Sequence, residues 1–312
     1  LLTDRDYINL METKSIKGQM EYLEGNTAYG EILEDIANSD NIQDIERQLK
    51  KHLIHQWEKL PPYFTGEYRR LFNYILLKFE IEDLKLYLRA LGRGENLHEI
   101  KGVTLLEKPY LNMDLEELAK SKNLGGFIGN LKGTIYYNIL KPYVKEEYSR
   151  ILFYMEMNLD RFYFNLIKSQ SLKLRHTDNL LFGKILGKNI DLLNIEWIYR
   201  GIKFYRLLPE ELINFALPYG YDLDYKKIKK MCYSTEEELK DIILQTEYDF
   251  LFDTQKDIGL YMERRIERYL YYQFLDVFRR GKLDICISMA YIHLLEYEIR
   301  DIISILEAKR YN

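Results

Sequence analysis

One helical phrase occurs three times along the chain, and this repetition limits the possible folds more than any other feature of the sequence. In its last copy, Ile299, Ile302, Ile303 and Leu306 are spaced at i, i+3, i+4 and i+7, which places them on one face of a helix. The corresponding faces upstream are Leu84, Tyr87, Leu88 and Leu91, and Ile195, Ile198, Tyr199 and Ile202. Because the copies lie roughly a third of the chain apart, the sequence predicts three similar units.

Other features repeat in the same order within each unit. A small or polar pair opens an amphipathic helix at Lys14-Ser15, Lys122-Asn123 and Ser234-Thr235. A tyrosine follows, as Tyr29, Tyr136 and Tyr248, and then a long charged helix with its signature at Glu46, Glu156 and Glu263. Unrelated helices also resemble one another because they share a 3.6-residue period, but not in a common order of phrases. We therefore predict helical units at 1–104, 105–206 and 207–312, each of about 100 residues.

The secondary structure is predicted to be entirely helical. Proline is scarce, with 6 residues in 312, and no segment alternates polar and apolar residues as a strand would. Breaks before the closing helices are predicted at Pro61-Pro62 with Gly66, at Gly183 with Gly187, and at Gly281. Units two and three each follow a closing helix, whereas unit one begins directly at Leu1, so we expect a further helix ahead of Leu1 in the natural chain.

Composition excludes several classes of protein. The net charge of −4 provides no basic footprint for nucleic acid. Two cysteines, Cys232 and Cys286, cannot form a disulfide framework and suit a reducing compartment. No stretch approaches the ~18 uninterrupted apolar residues of a membrane span, and no signal peptide is visible.

The candidate chemical motifs all have simpler structural interpretations. His52 and His55 are spaced to share a metal, but a catalytic zinc needs three protein ligands, and a helix surface is the favoured interpretation. The glycine-rich stretch 125–134 lacks the Gly-Lys-Ser/Thr of a phosphate loop and is typical of helix junctions. Acids at Glu236–Glu238 follow a Ser-Thr helix start, and Glu263 with Glu267 forms a charged helix face. The sequence therefore predicts no catalytic, cofactor-binding or metal site.

Aromatic residues cluster on the second and third long helices. The clusters are Phe153, Tyr154, Phe162, Tyr163 and Phe164, and Tyr269, Tyr271, Tyr272 and Phe274. Packing between long helices is the first interpretation, and an aromatic-lined surface for a protein partner is the second. Both interpretations remain open from the sequence.

The chain resembles the C subunit of the V/A-type rotary ATPases (vacuolar/archaeal-type ATP synthases), which is the counterpart of the d subunit in eukaryotic V-ATPase. The resemblance rests on 1–7 with Tyr29-Gly30, on 194–201 leading into 208–212, and on 298–303, and it extends over essentially the whole chain. It implies three all-helical units around a pseudo-threefold axis, forming a funnel. The family usually has a further N-terminal helix, which this sequence lacks.

The same resemblance implies a role without catalysis. The funnel would receive the central stalk, made of D- and F-type subunits, and would rest on the membrane proteolipid ring. The protein would lie peripherally on the cytoplasmic side of the membrane, without a span or a cofactor, and would transmit torque for proton or sodium transport coupled to ATP hydrolysis or synthesis. One alternative is a helical scaffold of another multi-protein assembly, which a solenoid shape would indicate. Another is an all-helical hydrolase or lyase, which requires a cavity of convergent titratable groups.

Overall fold

The computed structural model describes residues 1–33, 41–106, 108–111, 113–144, 148–252, 258–280 and 284–310. Throughout these ranges the chain forms helices and no strands, so the predicted all-α class is confirmed. The long helices are α4 (Ile42–Glu58), α5 (Gly66–Arg93), α10 (Tyr148–Ser171), α11 (His176–Arg200), α15 (Ile258–Arg280) and α16 (Ile285–Arg310). None of the described helices has a stretch apolar enough to cross a membrane.

Groups of short helices separate the long ones. They are α1 (Asp4–Glu12), α2 (Ile16–Asn26), α3 (Gly30–Leu33), α6 (Leu97–Val103), α7 (Leu115–Ala119), α8 (Leu124–Asn130), α9 (Ile135–Leu140), α12 (Pro209–Phe215), α13 (Tyr225–Cys232) and α14 (Glu236–Ile243). Ser15, Asn123 and Thr235 cap α2, α8 and α14, each by accepting a hydrogen bond from a first-turn backbone N–H. The helix starts predicted in all three units are therefore confirmed.

The predicted breaks before the closing helices have different outcomes. In unit one, α4 ends at Glu58, a 3-10 turn follows at Pro61–Tyr63, and α5 begins at Gly66 with φ +56°, as predicted. In unit two the prediction is wrong, because Gly183 and Gly187 lie inside α11 and the chain turns at 172–175. Gly187 has a packing role, since a Cβ there would lie 3.0 Å from the backbone nitrogen of Tyr221. Gly281 lies outside the described residues.

Each closing helix belongs to two hydrophobic cores. The first half of α5 packs with α1–α4, whereas its second half packs with α6–α9 and the start of α10. The second half of α11 packs with α12–α15. The end of α16, including Ile302 and Leu306, packs with α1–α4, so the last helix covers the first ones. A helix that is apolar on several faces can be buried in this way between neighbouring cores.

Candidate partner-binding cavity

A cavity of about 390 Å³ lies where five long helices meet. Its walls come from α5, α10, α11, α15 and α16, so helices from all three predicted units contribute. Apolar side chains on this wall include Ile75, Phe182 and Leu186, which are buried and belong to the largest core. The cavity is therefore held by the packing of long helices and not by surface loops.

Ion pairs cross the cavity wall between helices. Lys78 of α5 binds Glu296 of α16 with Nζ 2.8 Å from Oε1, and His293 Nδ1 lies 3.4 Å from the other carboxylate oxygen. The pKa of the Glu296 carboxyl lies well below its usual range: burial opposes ionisation, but the charge of Lys78 and a hydrogen bond from His293 outweigh it. Phe274 stacks on the His293 ring with centroids 4.3 Å apart, which fixes the imidazole.

A second ion pair joins α5 to α10. The buried Lys85 places Nζ 2.5 Å from Asp160 and 3.0 Å from Glu82. Burial by itself would lower the pKa of Lys85. The two carboxylates raise it by a larger amount, so the net pKa is raised and the ammonium stays charged. Arg300 of α16 contacts Glu267 of α15 in the same wall. These pairs connect neighbouring long helices and resist their sliding past one another.

Each predicted unit has a buried tyrosine that lies against a carboxylate on the closing helix of another predicted unit. The Tyr29 hydroxyl donates to Glu298 at 2.7 Å, and that of Tyr248 donates to Asp191 at 2.8 Å. The third tyrosine, Tyr136, lies beside Glu80 of α5, and burial together with the Glu80 charge raises the pKa of its phenol. The tyrosines are those that the sequence places in equivalent positions.

The same carboxylates hold the backbone of the segment that follows. Glu80 accepts from the N–H of Tyr110 at 2.5 Å and of Leu111 at 3.0 Å, and Asp191 accepts from three successive N–H groups at 221–223. Glu298 accepts from the N–H of Leu2, which ties the last helix to the start of the chain. A signal for these carboxylates exists in the sequence, because an acidic residue interrupts the apolar face of each closing helix, but the helical pattern alone did not identify them.

These contacts revise the alignment of the third copy. Glu80, Asp191 and Glu298 occupy matching positions, so Ile302 corresponds to Ile195 and Leu84. The periodicity of the sequence instead places Ile299 there, three residues earlier. Such a shift is nearly one helical turn, which preserves the apolar face and escapes detection by periodicity.

A further polar side chain anchors the chain one turn later in two of the closing helices. Asp83 accepts from the N–H groups of Leu105 at 2.8 Å and Leu106 at 2.9 Å. Asn194 occupies the matching position and both accepts from and donates to the backbone of Leu217. Burial raises the pKa of Asp83 to about 6, whereas the amide of Asn194 has no charge to bury.

The motifs considered for chemistry lie apart from one another. His52 stacks edge-on against Tyr29, and His55 faces Glu58 at 4.0 Å on an exposed helix surface. Across the described ranges, no group of three or more His, Cys, Asp or Glu side chains could hold a metal. Burial raises the pKa of the Cys232 and Cys286 thiols to about 12, which leaves both protonated at neutral pH.

The other predicted motifs are structural elements or lie in the cavity wall. The stretch 125–130 lies within α8, and Glu238 completes the capping box of α14. Glu263 and Glu267 line the cavity, as do Tyr163, Phe164 and Phe274 from the aromatic clusters. Tyr154 stacks on Phe215 with centroids 4.9 Å apart, whereas Tyr272 is exposed. The aromatic clusters therefore serve both helix packing and the cavity surface.

Comparison with known proteins identifies the family. The sequence profile described as ATP synthase (C/AC39) subunit matches residues 1–312, the whole chain. This chain belongs to that family. The resemblance inferred from the sequence is thereby confirmed.

Several archaeal proteins are similar to this chain. The A-type ATP synthase C subunit of Methanobrevibacter smithii is 23% identical over 320 residues, covering 99% of this chain and 80% of the relative. The corresponding proteins of Methanococcoides burtonii and Methanocaldococcus jannaschii are 26% and 25% identical over 204 and 208 residues. These two alignments cover 65% of this chain, and 56% and 52% of the relatives. The matched region thus spans from about half to four fifths of the relatives' lengths.

Proposed function

We propose that the chain is a non-catalytic adaptor in the central rotor of a V/A-type rotary ATPase. It would link a stalk of D- and F-type subunits to the membrane proteolipid ring, on the cytoplasmic side and without a span of its own. Torque would pass through it for proton or sodium transport coupled to ATP hydrolysis or synthesis. The observation that carries this proposal is the central cavity, which opens among long helices from all three predicted units.

The proposed architecture is a pseudo-threefold funnel of units 1–104, 105–206 and 207–312. Two observations support it. A tyrosine–carboxylate pair joins each predicted unit to the next, and the last closing helix packs onto α1–α4, as expected of a closed cycle of three units.

Transmission of torque requires an element that resists twisting. Cross-helix ion pairs such as Lys78–Glu296 and Lys85–Asp160 brace the cavity wall, and the surrounding core is buried. Close-packed interiors have low compressibility and transmit strain. The wall therefore suits a socket that receives a protruding end of the stalk and turns with it.

The test is a cavity-filling substitution at Asn189, a half-buried residue of the wall. Asn189→Trp places an indole in the socket, and we expect binding to the purified D- and F-type stalk to weaken at least ~10-fold. Asn165→Trp is the matched control, because Asn165 is also half-buried but lines a separate surface groove. Binding is measured by calorimetry and by co-elution with the stalk.

The experiment tests the adaptor role and the position of the stalk-binding site separately. If the wild-type chain does not bind the stalk while the rest of the complex assembles, the adaptor role is refuted. If wild type binds and Asn189→Trp binds equally well, the stalk is received elsewhere on the protein.

A further inference from the structure

A second concave surface lies between α13 and α14, and it shares no lining residue with the central cavity. This α13–α14 groove encloses about 660 Å³. One wall presents Lys226, Lys229 and Lys230 of α13, and the other presents Glu238 and Asp241 of α14. Ile228, Met231 and Cys232 bury the opposite side of α13 in the core, so the lysine wall has a fixed position.

The three lysines of this wall are exposed. None of the three forms an ion pair with any residue in the described ranges. Lys226 is three and four residues from Lys229 and Lys230, spacings at which like charges repel on a helix. The protein therefore maintains a self-repelling group of charges within one short helix.

The helix dipole accounts for only part of this arrangement, because Lys229 and Lys230 lie in the last turn of α13, where the dipole favours cations. Lys226 and Lys227 lie in the first turn of α13, where the helix dipole disfavours cations. In contrast, the first turns of α1, α7, α12 and α14 carry acidic residues. In the matching helix of unit two, α7, the charged residues are Glu116 and Glu117, so the basic α13 differs in sign from its counterpart within a chain of net charge −4.

Exposed tyrosines accompany the lysines. Tyr225 is 69% exposed and Tyr233, which lines the groove, is 54% exposed. The Tyr233 hydroxyl donates to Glu210 at 2.8 Å, which holds the ring in place before any partner binds. Tyrosine is enriched in protein–protein interfaces, and a pre-positioned ring lowers the entropy cost of binding.

We propose that the α13–α14 groove binds an acidic helix or loop of a protein partner, with its carboxylates facing the lysines of α13. The groove is recessed between two helices, so a segment of polypeptide reaches its lysines more readily than a flat bilayer does. The opposite wall carries Glu238 and Asp241, which can accept hydrogen bonds from the N–H groups or basic side chains that a polypeptide also offers. This surface is independent of the socket proposed for the stalk.

The experiment places a photo-crosslinking residue in the groove of the full chain in cells. Gln245 is an exposed groove residue of the opposite wall, and Gln245→p-benzoylphenylalanine leaves the lysines unchanged. The same substitution at Gln43, exposed on α4, is the control position. We expect one dominant crosslink from position 245, mapped by mass spectrometry to an acid-rich segment of one protein.

Charge variants then test the lysines themselves. Lys226→Glu/Lys229→Glu/Lys230→Glu should reduce that crosslink about tenfold or more, since three charge pairs are lost and reversed. The matched control, Lys14→Glu/Lys17→Glu/Lys132→Glu, makes the same change in net charge at exposed lysines elsewhere and should leave it unchanged. Basic residues introduced into the mapped segment should restore the crosslink to the triple α13 variant.

Other results overturn the proposal. These are a crosslink to lipid, no crosslink above that of position 43, a target segment without excess acid, or equal effects of the two triple variants. Circular dichroism and thermal unfolding of each variant establish that it is folded. The outcome does not depend on stalk binding, because Asn189→Trp should leave the crosslink from position 245 intact.

Discussion

Loss of one phenol hydroxyl should reveal how much the tyrosine–carboxylate contacts stabilise the fold. Tyr248 is fully buried, and its hydroxyl donates to Asp191 Oδ2 at 2.8 Å. Tyr248→Phe keeps the ring in the core and removes only this donor. Asp191 then retains its three backbone N–H donors but loses the phenol. The change is therefore a specific test of a hydrogen bond to a buried carboxylate.

The expected cost follows from the environment of the pair. Hydrogen bonds to charged groups contribute about 1.5–3 kcal/mol, and burial already raises the pKa of Asp191, so we expect Tyr248→Phe to destabilise by about 2 kcal/mol. An unfolding entropy of ~2.1 cal/mol/K per residue amounts to about 0.65 kcal/mol/K for 312 residues. The melting temperature should then fall by about 3 °C if the chain unfolds as one unit.

Urea unfolding followed by circular dichroism measures the free-energy change. Tyr29→Phe should give a similar loss, because Tyr29 donates to Glu298 in the same way. Tyr205→Phe is the control: Tyr205 is 51% exposed, so we expect a change within about 0.5 kcal/mol. If Tyr248→Phe and Tyr205→Phe are equally stable, the contact has no stabilising role and the reasoning fails.

Two further predictions each compare a pair of positions: Asp83 with Asn194, which match in the repeat, and Gly187 with Gly183, which both lie in α11. Burial raises the folded-state pKa of Asp83 from 3.8 to about 6, so its ionisation should cost up to about 3 kcal/mol of stability as the pH rises from 4 to 7. Asp83→Asn, which introduces the residue found at the matching position 194, should remove that part of the pH dependence measured by urea unfolding. If the unfolding free energy changes with pH equally in the variant and the wild type, the prediction is contradicted. Gly187→Ala should destabilise because its Cβ would lie 3.0 Å from the backbone of Tyr221, whereas Gly183→Ala has room and should stabilise α11 by up to about 1 kcal/mol. Thermal unfolding that ranks the two variants in the opposite order would refute this account.

The candidate site is only partly accessible to sequence reasoning. Tyr29, Tyr136 and Tyr248 are recognisable as equivalent because a repeated residue in a constant order is visible in one dimension. Their partners Glu80, Asp191 and Glu298 cannot be recognised in this way. The role of an acidic residue within an apolar helix face depends on a buried tyrosine from a distant segment that packs against it only in the folded chain. The cavity also cannot be predicted from the sequence, since five helices distant in sequence form its wall.

The sequence by itself determined the helical class, the threefold recurrence of phrases and the helix starts, since these depend on local periodicity and on capping side chains such as Ser15 and Thr235. Tertiary structure decided that Gly183 and Gly187 lie within α11, that Glu298 aligns with Asp191, and that α16 packs on α1–α4. Helical periodicity fixes which side chains share a face, but it is nearly unchanged by a shift of three residues and does not identify the surface that the face contacts. Those choices depend on close packing and on partners for buried polar groups, which exist only in the folded chain.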